Sequence, residues 1–474
     1  MTGRRALDTR QRRVLAAMLA CNALVFLDQT AVVVALPSIA DDLGGTPQDV
    51  RWTITAYLLP LAVFMVLAGR IADHVGRRRT LLAGMALFAL GSAACALAPS
   101  MGALIAFRAL QGIGGALLQP LVLSNTTRVM PDERRGWAIG LLATGGTTFL
   151  ILGPLIAAGI LEAGSWRWIF VINLPVLAVA FAVARRWVTP SRESRPRPLE
   201  PVGVALLLTG LAATVVGVTQ IAEWGAPSAG LIAAGLLVLA AFVRREMRLP
   251  QPLIRVDLLR DRLLATSLVA LFAIQFVVLG SSVHLVLFAE RGLEVGTVEA
   301  GLLVAVAGVF TPLLSIPAGR IADRRGPRSL VIGGLALASA GLVWMALSAG
   351  RLSALLLLPG LLVFSLGRPA VFTPAGVGPF ATLTSERRAF AAGLVTESRQ
   401  LGAVMGVAVI GAVFAAAGEA GAGTDPEVVA HGFRAGMLTA AGVTAAALVT
   451  AAAWMPGRAA RPSAGLVREG AHGG

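Results

Sequence analysis

The chain has 474 residues, of which 56% are hydrophobic and only 14% charged, against about 25% charged in an ordinary soluble domain. In water it would expose large apolar patches, so soluble and disordered classes are excluded, as is a disulfide scaffold, because Cys21 and Cys95 both lie inside apolar runs. The formal charge is +15 and all 40 basic residues are arginine; without a lysine the chain can be neither a P-loop ATPase, a pyridoxal-phosphate enzyme nor a retinal protein.

A bilayer-spanning helix needs about 20 mostly apolar residues. Fourteen stretches qualify, at 14–36, 52–68, 80–98, 103–125, 137–161, 169–188, 202–222, 229–243, 263–289, 300–318, 329–348, 354–378, 389–417 and 434–455. The fold class is therefore all-α integral membrane, and 229–243 is the shortest span. The first span follows an arginine-rich start. Its length, with thirteen spans behind it, reads as an uncleaved first helix rather than a signal peptide. With the N-terminus in the cytoplasm, 32 arginines fall in the tail and loops of that side, while Arg51, Arg167, Arg291, Arg351 and Arg434 fall on the other. That is the positive-inside bias. It accounts for the basic charge without nucleic acid, and it places both termini in the cytoplasm.

Residues 68–87, AGRIADHVGRRRTLLAGMAL, match residues 318–337, AGRIADRRGPRSLVIGGLAL, at 11 of 20 positions. A repeat of this size means two related bundles about an axis normal to the membrane. Eight spans separate the copies where six-helix halves would leave six, so two helices are inserted. The expected organisation is a six-helix bundle at 1–188, linkers with two extra helices at 189–262, and a second six-helix bundle with a tail at 263–474. In the repeat, Gly69 and Gly76 permit a tight turn beside a neighbouring helix and Asp73 can cap a helix N-terminus. Arg70, Arg77 and Arg78 can pair with cytoplasmic acids. Gly319, Arg320, Asp323 and Gly326 are the second copy. Two copies favour a latch between the halves over a loop that only fixes topology.

The chain resembles the major facilitator superfamily, and within it the fourteen-helix drug:proton antiporters that export drugs and antibiotics. Leu27-Asp28-Gln29-Thr30 through Ala35-Leu36-Pro37 is similar to the first-helix motif, and Gly69 to Arg79 to the loop motif. Arg108-Ala109-Leu110-Gln111-Gly112-Ile113-Gly114 resembles the fourth-helix motif. Gly145, Gly146 and Gly153-Pro154 resemble the antiporter motif of helix five. Trp166 to Asn173-Leu174-Pro175 is similar to the run opening helix six, and Arg399-Gln400-Leu401-Gly402 with Gly406 to a thirteenth-helix element. Two departures stand out: Ala157-Ala158 precede Gly159 where paired glycines are usual, and Glu397 and Arg368 occupy positions more often neutral.

Five ionisable groups lie in spans: Asp28, Arg108, Arg368, Glu397 and Arg399. Each costs about 2.5–3.5 kcal/mol at a helix centre, so they must pair or line a wet cavity. Asp28 and Arg108 lie at matching depth, roughly 12 Å from the outer edge. The resemblance implicates the first-helix acid in coupling. Asp28 is then a proton site tuned by Arg108, with a cationic drug competing for its ionised form; the alternative is a permanent structural bridge. Glu397 is either a second proton or cation site or a partner of Arg368. Gln111, Gln275, Phe310, Arg368, Phe372 and Arg399 are candidate cavity residues. Gly112, Gly114 and Gly115, with Gly145 and Gly153, are expected to pack helices four and five together, and Pro154, Pro369 and Pro374 to kink their helices. His284, near a helix end, reads as interfacial rather than as a relay. Four scattered histidines make no metal site, and no cofactor is expected.

The reading is a monomeric, proton-coupled exporter of a small amphipathic drug or antibiotic in the inner membrane. A metabolite uptake transporter on the same fold is the nearest rival. A membrane sensor is a rival from another class, disfavoured because no soluble domain is appended. No nucleophile–base constellation in the spans suggests an enzyme.

Overall fold

The computed structural model describes residues 7–191, 200–249, 252, 256–381, 385–417 and 425–457. Among these all extended regular structure is helical: α1 Thr9–Leu43, α2 Pro47–Val75, α3 Arg77–Ala96, α4 Met101–Val129, α5 Asp132–Glu162, α6 Trp168–Val171, α7 Asn173–Trp187, α8 Pro201–Thr219, α9 Ile221–Trp224, α10 Ala226–Glu246, α11 Arg262–Arg291, α12 Thr297–Val306, α13 Phe310–Arg325, α14 Arg328–Ser348, α15 Ala354–Val377, α16 Ser385–Ala417 and α17 Pro426–Trp454. Twelve segments are long and apolar enough to cross a membrane. The count reaches fourteen with α2, bent by 55°, and α5, bent by 42°, each taken as one span. The first span is longer than hydropathy alone indicates: a capping box of Asp8 and Gln11 starts α1, and Gly44 at φ +66° ends it. The short stretch 229–243 lies within a full-length helix, Ala226–Glu246.

The packing repeats along the chain. In the first part α1 lies along α5, and α4 lies along both α2 and α3; in the second, α11 lies along α16, and α15 along both α13 and α14. Between them α8 and α10 form a close pair. A Cβ on Gly235 would stand 2.5 Å from Thr214 Oγ1, so α10 approaches α8 at its glycine. This pair packs on α2, where Leu207 and Phe242 meet Leu67, and on α16. Gln48 Nε2 donates to Gln220 Oε1 at the arginine-poor end. At the arginine-rich end Glu200 caps α8 by accepting from the Gly203 N–H, and it ion-pairs with Arg245 of α10. That guanidinium holds the Glu200 carboxyl below the usual carboxylate range.

The two parts meet through α2 with α16 and α5 with α12. At the arginine-poor end Arg51 Nη1 donates to the Gly411 carbonyl at 2.9 Å, and the Gly301 Cβ position lies 3.2 Å from the Pro154 carbonyl. Large apolar side chains, Leu237 and Leu355 among them, point outward, as lipid-facing positions do.

Candidate functional site

Asp28 and Arg108 are both fully buried, and Arg108 Nη1 stands 2.6 Å from Asp28 Oδ2. The matched depths therefore do bring these two charges together. Arg108 also donates through Nη1 to Gln111 Oε1 at 2.7 Å and through Nε to the Thr53 carbonyl at 3.3 Å. Its guanidinium carbon lies 4.1 Å from the centre of the Tyr57 ring, a cation–π contact sealed from water. Asp28 Oδ1 accepts from Gln111 Nε2 at 2.9 Å and from Asn173 Nδ2 at 3.4 Å. Both amides also donate to Ser92 Oγ, at 2.8 and 3.0 Å. Every polar group facing the carboxylate is thus a donor, an arrangement suited to the ionised acid. Five helices, α1, α2, α3, α4 and α7, supply this knot. Gln111, expected in a cavity, lies inside it. Asn173, Ser92, Thr53 and Tyr57 carry no signal in isolation, although Asn173 stands within the Trp166–Pro175 run.

Two residues along α1 from Asp28, Thr30 Oγ1 donates to the Leu150 carbonyl of α5 at 2.9 Å. Pro154 explains that bond. It has no N–H to return to the carbonyl four residues back, which is Leu150, and α5 bends beside it. Asn22 makes a matching bond to the Leu142 carbonyl at 2.8 Å. A Cβ on Gly153 would stand 2.2 Å from Thr30 Oγ1, and one on Gly146 would stand 2.7 Å from Asn22 and Phe26, while Gly145 meets Leu19 at 3.4 Å. The glycines of α5 therefore seat α1, not α4. Gly112 faces the Tyr57 carbonyl of α2, Gly114 faces Phe88 of α3, and Gly115 faces Leu61 of α2. The expected α4–α5 glycine contact is thus corrected, because each motif turns its bare face to a different neighbour. Thr30→Val should cost about 1–3 kcal/mol by stranding a buried carbonyl. It should be close to neutral in a Pro154→Ala background, where the helix supplies the missing donor. A double-mutant cycle on thermal unfolding in detergent reads this coupling, and additive costs would refute it.

In the second part α12 and α13 are separated by Ala307–Val309. Arg368 Nη1 of α15 donates to the Ala307 carbonyl at 2.8 Å, and the Phe310 N–H donates to Ser365 Oγ at 3.1 Å, so α15 satisfies the break. Helix α15 itself runs unbroken through Pro369 and Pro374. Glu397 is buried and has no ion pair among the described residues; of its two alternatives, the pairing with Arg368 does not form. Arg399 places its guanidinium carbon 5.0 Å from the centre of Phe372. Gln275 is buried with Oε1 unpartnered, and Phe310 is half-buried. His284 is 1% exposed rather than interfacial. Its Nδ1 lies 2.7 Å from the Gly280 carbonyl and its ring 5.0 Å from Phe414, because α16 covers it.

The loop motif combines tight turns with both local and distant contacts. Gly76 at φ +106° and Gly326 at φ +85° make the tight turns. Gly69 lies within α2 with open space beside it, and Gly319 meets only Thr373 at 3.3 Å. Asp73 does not cap α3, whose N-cap Gly76 has no side-chain bond; it pairs instead with Arg77 one turn on, at 3.5 Å. Arg77 also reaches Ser124, and Arg70 reaches the Pro252 carbonyl at 2.5 Å. Arg78 donates to the Arg185 carbonyl. Arg320 is exposed, and the Asp323 side chain lies outside the described residues.

These features define a multi-pass helical membrane protein with an internally repeated bundle and a buried ion pair. The chain belongs to the major facilitator superfamily, whose sequence profile matches residues 18–407 and again 295–472; it is a membrane transporter, not an enzyme. It is 30% identical over 396 residues to the multidrug efflux pump LfrA of Mycolicibacterium smegmatis, covering 83% of this chain and 79% of that one. It is 30% identical over 398 residues to the tetracenomycin C resistance and export protein of Streptomyces glaucescens, covering 83% and 74%. The fold is similar to the inward-facing structure of a bacterial homologue of the human lysosomal transporter Spinster, with TM-score 0.66, 18% identity, and 96% and 100% coverage. It is also similar to a D-xylose–proton symporter, with TM-score 0.65, 14% identity, and 94% and 97% coverage.

Proposed function

We propose that this transporter exports a small amphipathic drug or antibiotic in exchange for protons, as a monomer in the bacterial inner membrane with both termini in the cytoplasm. The bundles at 1–188 and 263–474 rock about the substrate, with 189–262 as linkers and two extra helices. The carrying observation is the knot at Asp28. A carboxylate buried among donors alone has no acceptor for a proton of its own. It takes one up only when rocking withdraws Arg108, and gives it back when Arg108 returns. Proton binding is thereby linked to conformation, and through conformation to substrate. Bent α5, seated on α1 next to Asp28, supports the same reading because it joins the knot to the seam with α12. The two Gly76-type turns serve as the latch at the cytoplasmic ends, engaged in the alternate state. The multidrug and antibiotic exporters named above support the direction and the substrate class.

The test compares cells with and without the protein on a drug-susceptibility panel, then follows the protected-against compounds into everted vesicles. Proton-driven accumulation that a protonophore collapses is the expected result. Accumulation only in right-side-out vesicles would mean uptake, and the absence of proton-dependent flux for every compound overturns the proposal.

A further inference from the structure

We infer that the substrate is an aromatic acid, a planar ring system carrying a carboxylate, phenolate or sulfonate, held between α15 and α16 with Arg399 and Arg368 as its counter-charges. This rests on the transport reading above and names the class of compound carried.

Phe364, Arg368 and Phe372 recur every fourth residue of α15, so they stack along one face. The Arg368 guanidinium carbon lies 6.0 Å from the Phe364 ring centre, and that of Arg399, reaching from α16, lies 5.0 Å from Phe372. The two cations therefore meet on one aromatic strip. They sit about 14 and 21 Å along their helices from the arginine-rich ends, at 1.5 Å per residue, deep in the hydrocarbon layer. Arg368 is 4% exposed, and Arg399 repels it electrostatically.

Neither cation is neutralised. Arg368 spends Nη1 on one backbone carbonyl and leaves Nε unpartnered in the interior. Arg399 has no hydrogen bond among the described residues, and its Nε is sealed without a partner. Arg399 is only half-buried and its terminal nitrogens are not enclosed as its Nε is. Glu397 is two residues from Arg399 in sequence and projects from another face of α16. Asp28 is consumed by Arg108. The charges of this region thus sum to an excess of one cation in a layer where an unmatched charge is costly. A guanidinium fork binds a planar anion through two parallel hydrogen bonds, and each fork has ring surface beside it, Phe364 by Arg368 and Phe372 by Arg399. An anion with an aromatic body fits all of these features, whereas a cationic drug would meet two like charges. Substrate and proton then communicate through conformation rather than by competing for one carboxylate.

Fluorescein and rhodamine 6G share a xanthene ring system and carry opposite charge, so they isolate the effect. Binding to the purified protein in detergent is measured by fluorescence anisotropy, at a pH where fluorescein is ionised. Fluorescein should bind at least tenfold more tightly than rhodamine 6G. Arg399→Gln should weaken fluorescein about tenfold, the scale of one charged hydrogen bond, and Arg399→Lys less. Glu397→Gln should strengthen it. Preference for rhodamine 6G, equal binding of both, binding of neither, or indifference to Arg399→Gln overturns the assignment. Equilibrium binding needs no gradient, so a failure of proton coupling would leave this result standing, and the reverse also holds.

Discussion

Asp28→Asn is expected to abolish proton-driven accumulation in everted vesicles while the protein still inserts and folds. Asparagine keeps the volume and can still accept from Arg108 at the position of Oδ2. Its amide, however, would turn a second donor toward Gln111 Nε2 and Asn173 Nδ2, and it cannot titrate. The charge removed is one of a pair 2.6 Å apart with no exposure. The guanidinium left without its counter-charge costs stability, a loss reduced because it keeps Gln111, the Thr53 carbonyl and the Tyr57 ring. Arg108→Gln is the contrasting case. It leaves a buried carboxylate without its counter-charge, and such a change costs about 3–5 kcal/mol, so this variant should lose thermal stability as well as transport. Membrane abundance, detergent melting temperature and protonophore-sensitive uptake separate the two outcomes. Full proton-driven uptake by Asp28→Asn would make the pair a structural bridge and remove the proton role.

The second large effect is at Gly402 and Gly406, spaced four residues apart on α16. A Cβ at Gly402 would stand 2.3 Å from the Phe272 carbonyl of α11, and one at Gly406 would stand 2.0 Å from the Phe276 carbonyl. Both obstacles are backbone atoms of a continuous helix, so neither can swing aside. The helices would have to part along the closest contact of the second bundle, losing the packing that drives association in lipid. Overpacking costs typically 1–3 kcal/mol per site, and the double variant Gly402→Ala/Gly406→Ala should fail to give a monodisperse folded protein. Gly393→Ala, on the same helix with nothing within 4 Å, is the control. It should be neutral or stabilising by up to about 1 kcal/mol, since alanine favours helix. Tryptophan-fluorescence melting reads both variants, and a melting temperature in the double variant matching that of Gly393→Ala would refute the close approach.

Much of the architecture was legible without coordinates. Hydropathy is a sum over consecutive residues, so the spans and the class of protein follow from the chain alone. Arginine placement assigns each loop an expected side for the same additive reason, and the repeat at 68–87 and 318–337 announces the duplicated bundle. Depth along a helix is also linear in residue number, which is why Asp28 and Arg108 could be matched. The partners of the side chains were decided elsewhere. Depth says nothing of the rotation of a helix about its axis, and rotation determines what faces what. Thus Gln111 joins the ion pair, Glu397 does not meet Arg368, and the glycines of α4 and α5 serve different neighbours. Asp73 turns along its own helix rather than capping the next, since the cap position falls to Gly76. Even the bond from Thr30 to Leu150 needs two facts of different kinds: the proline that frees a carbonyl is written in the sequence, but the hydroxyl that fills the gap comes from a helix 120 residues away.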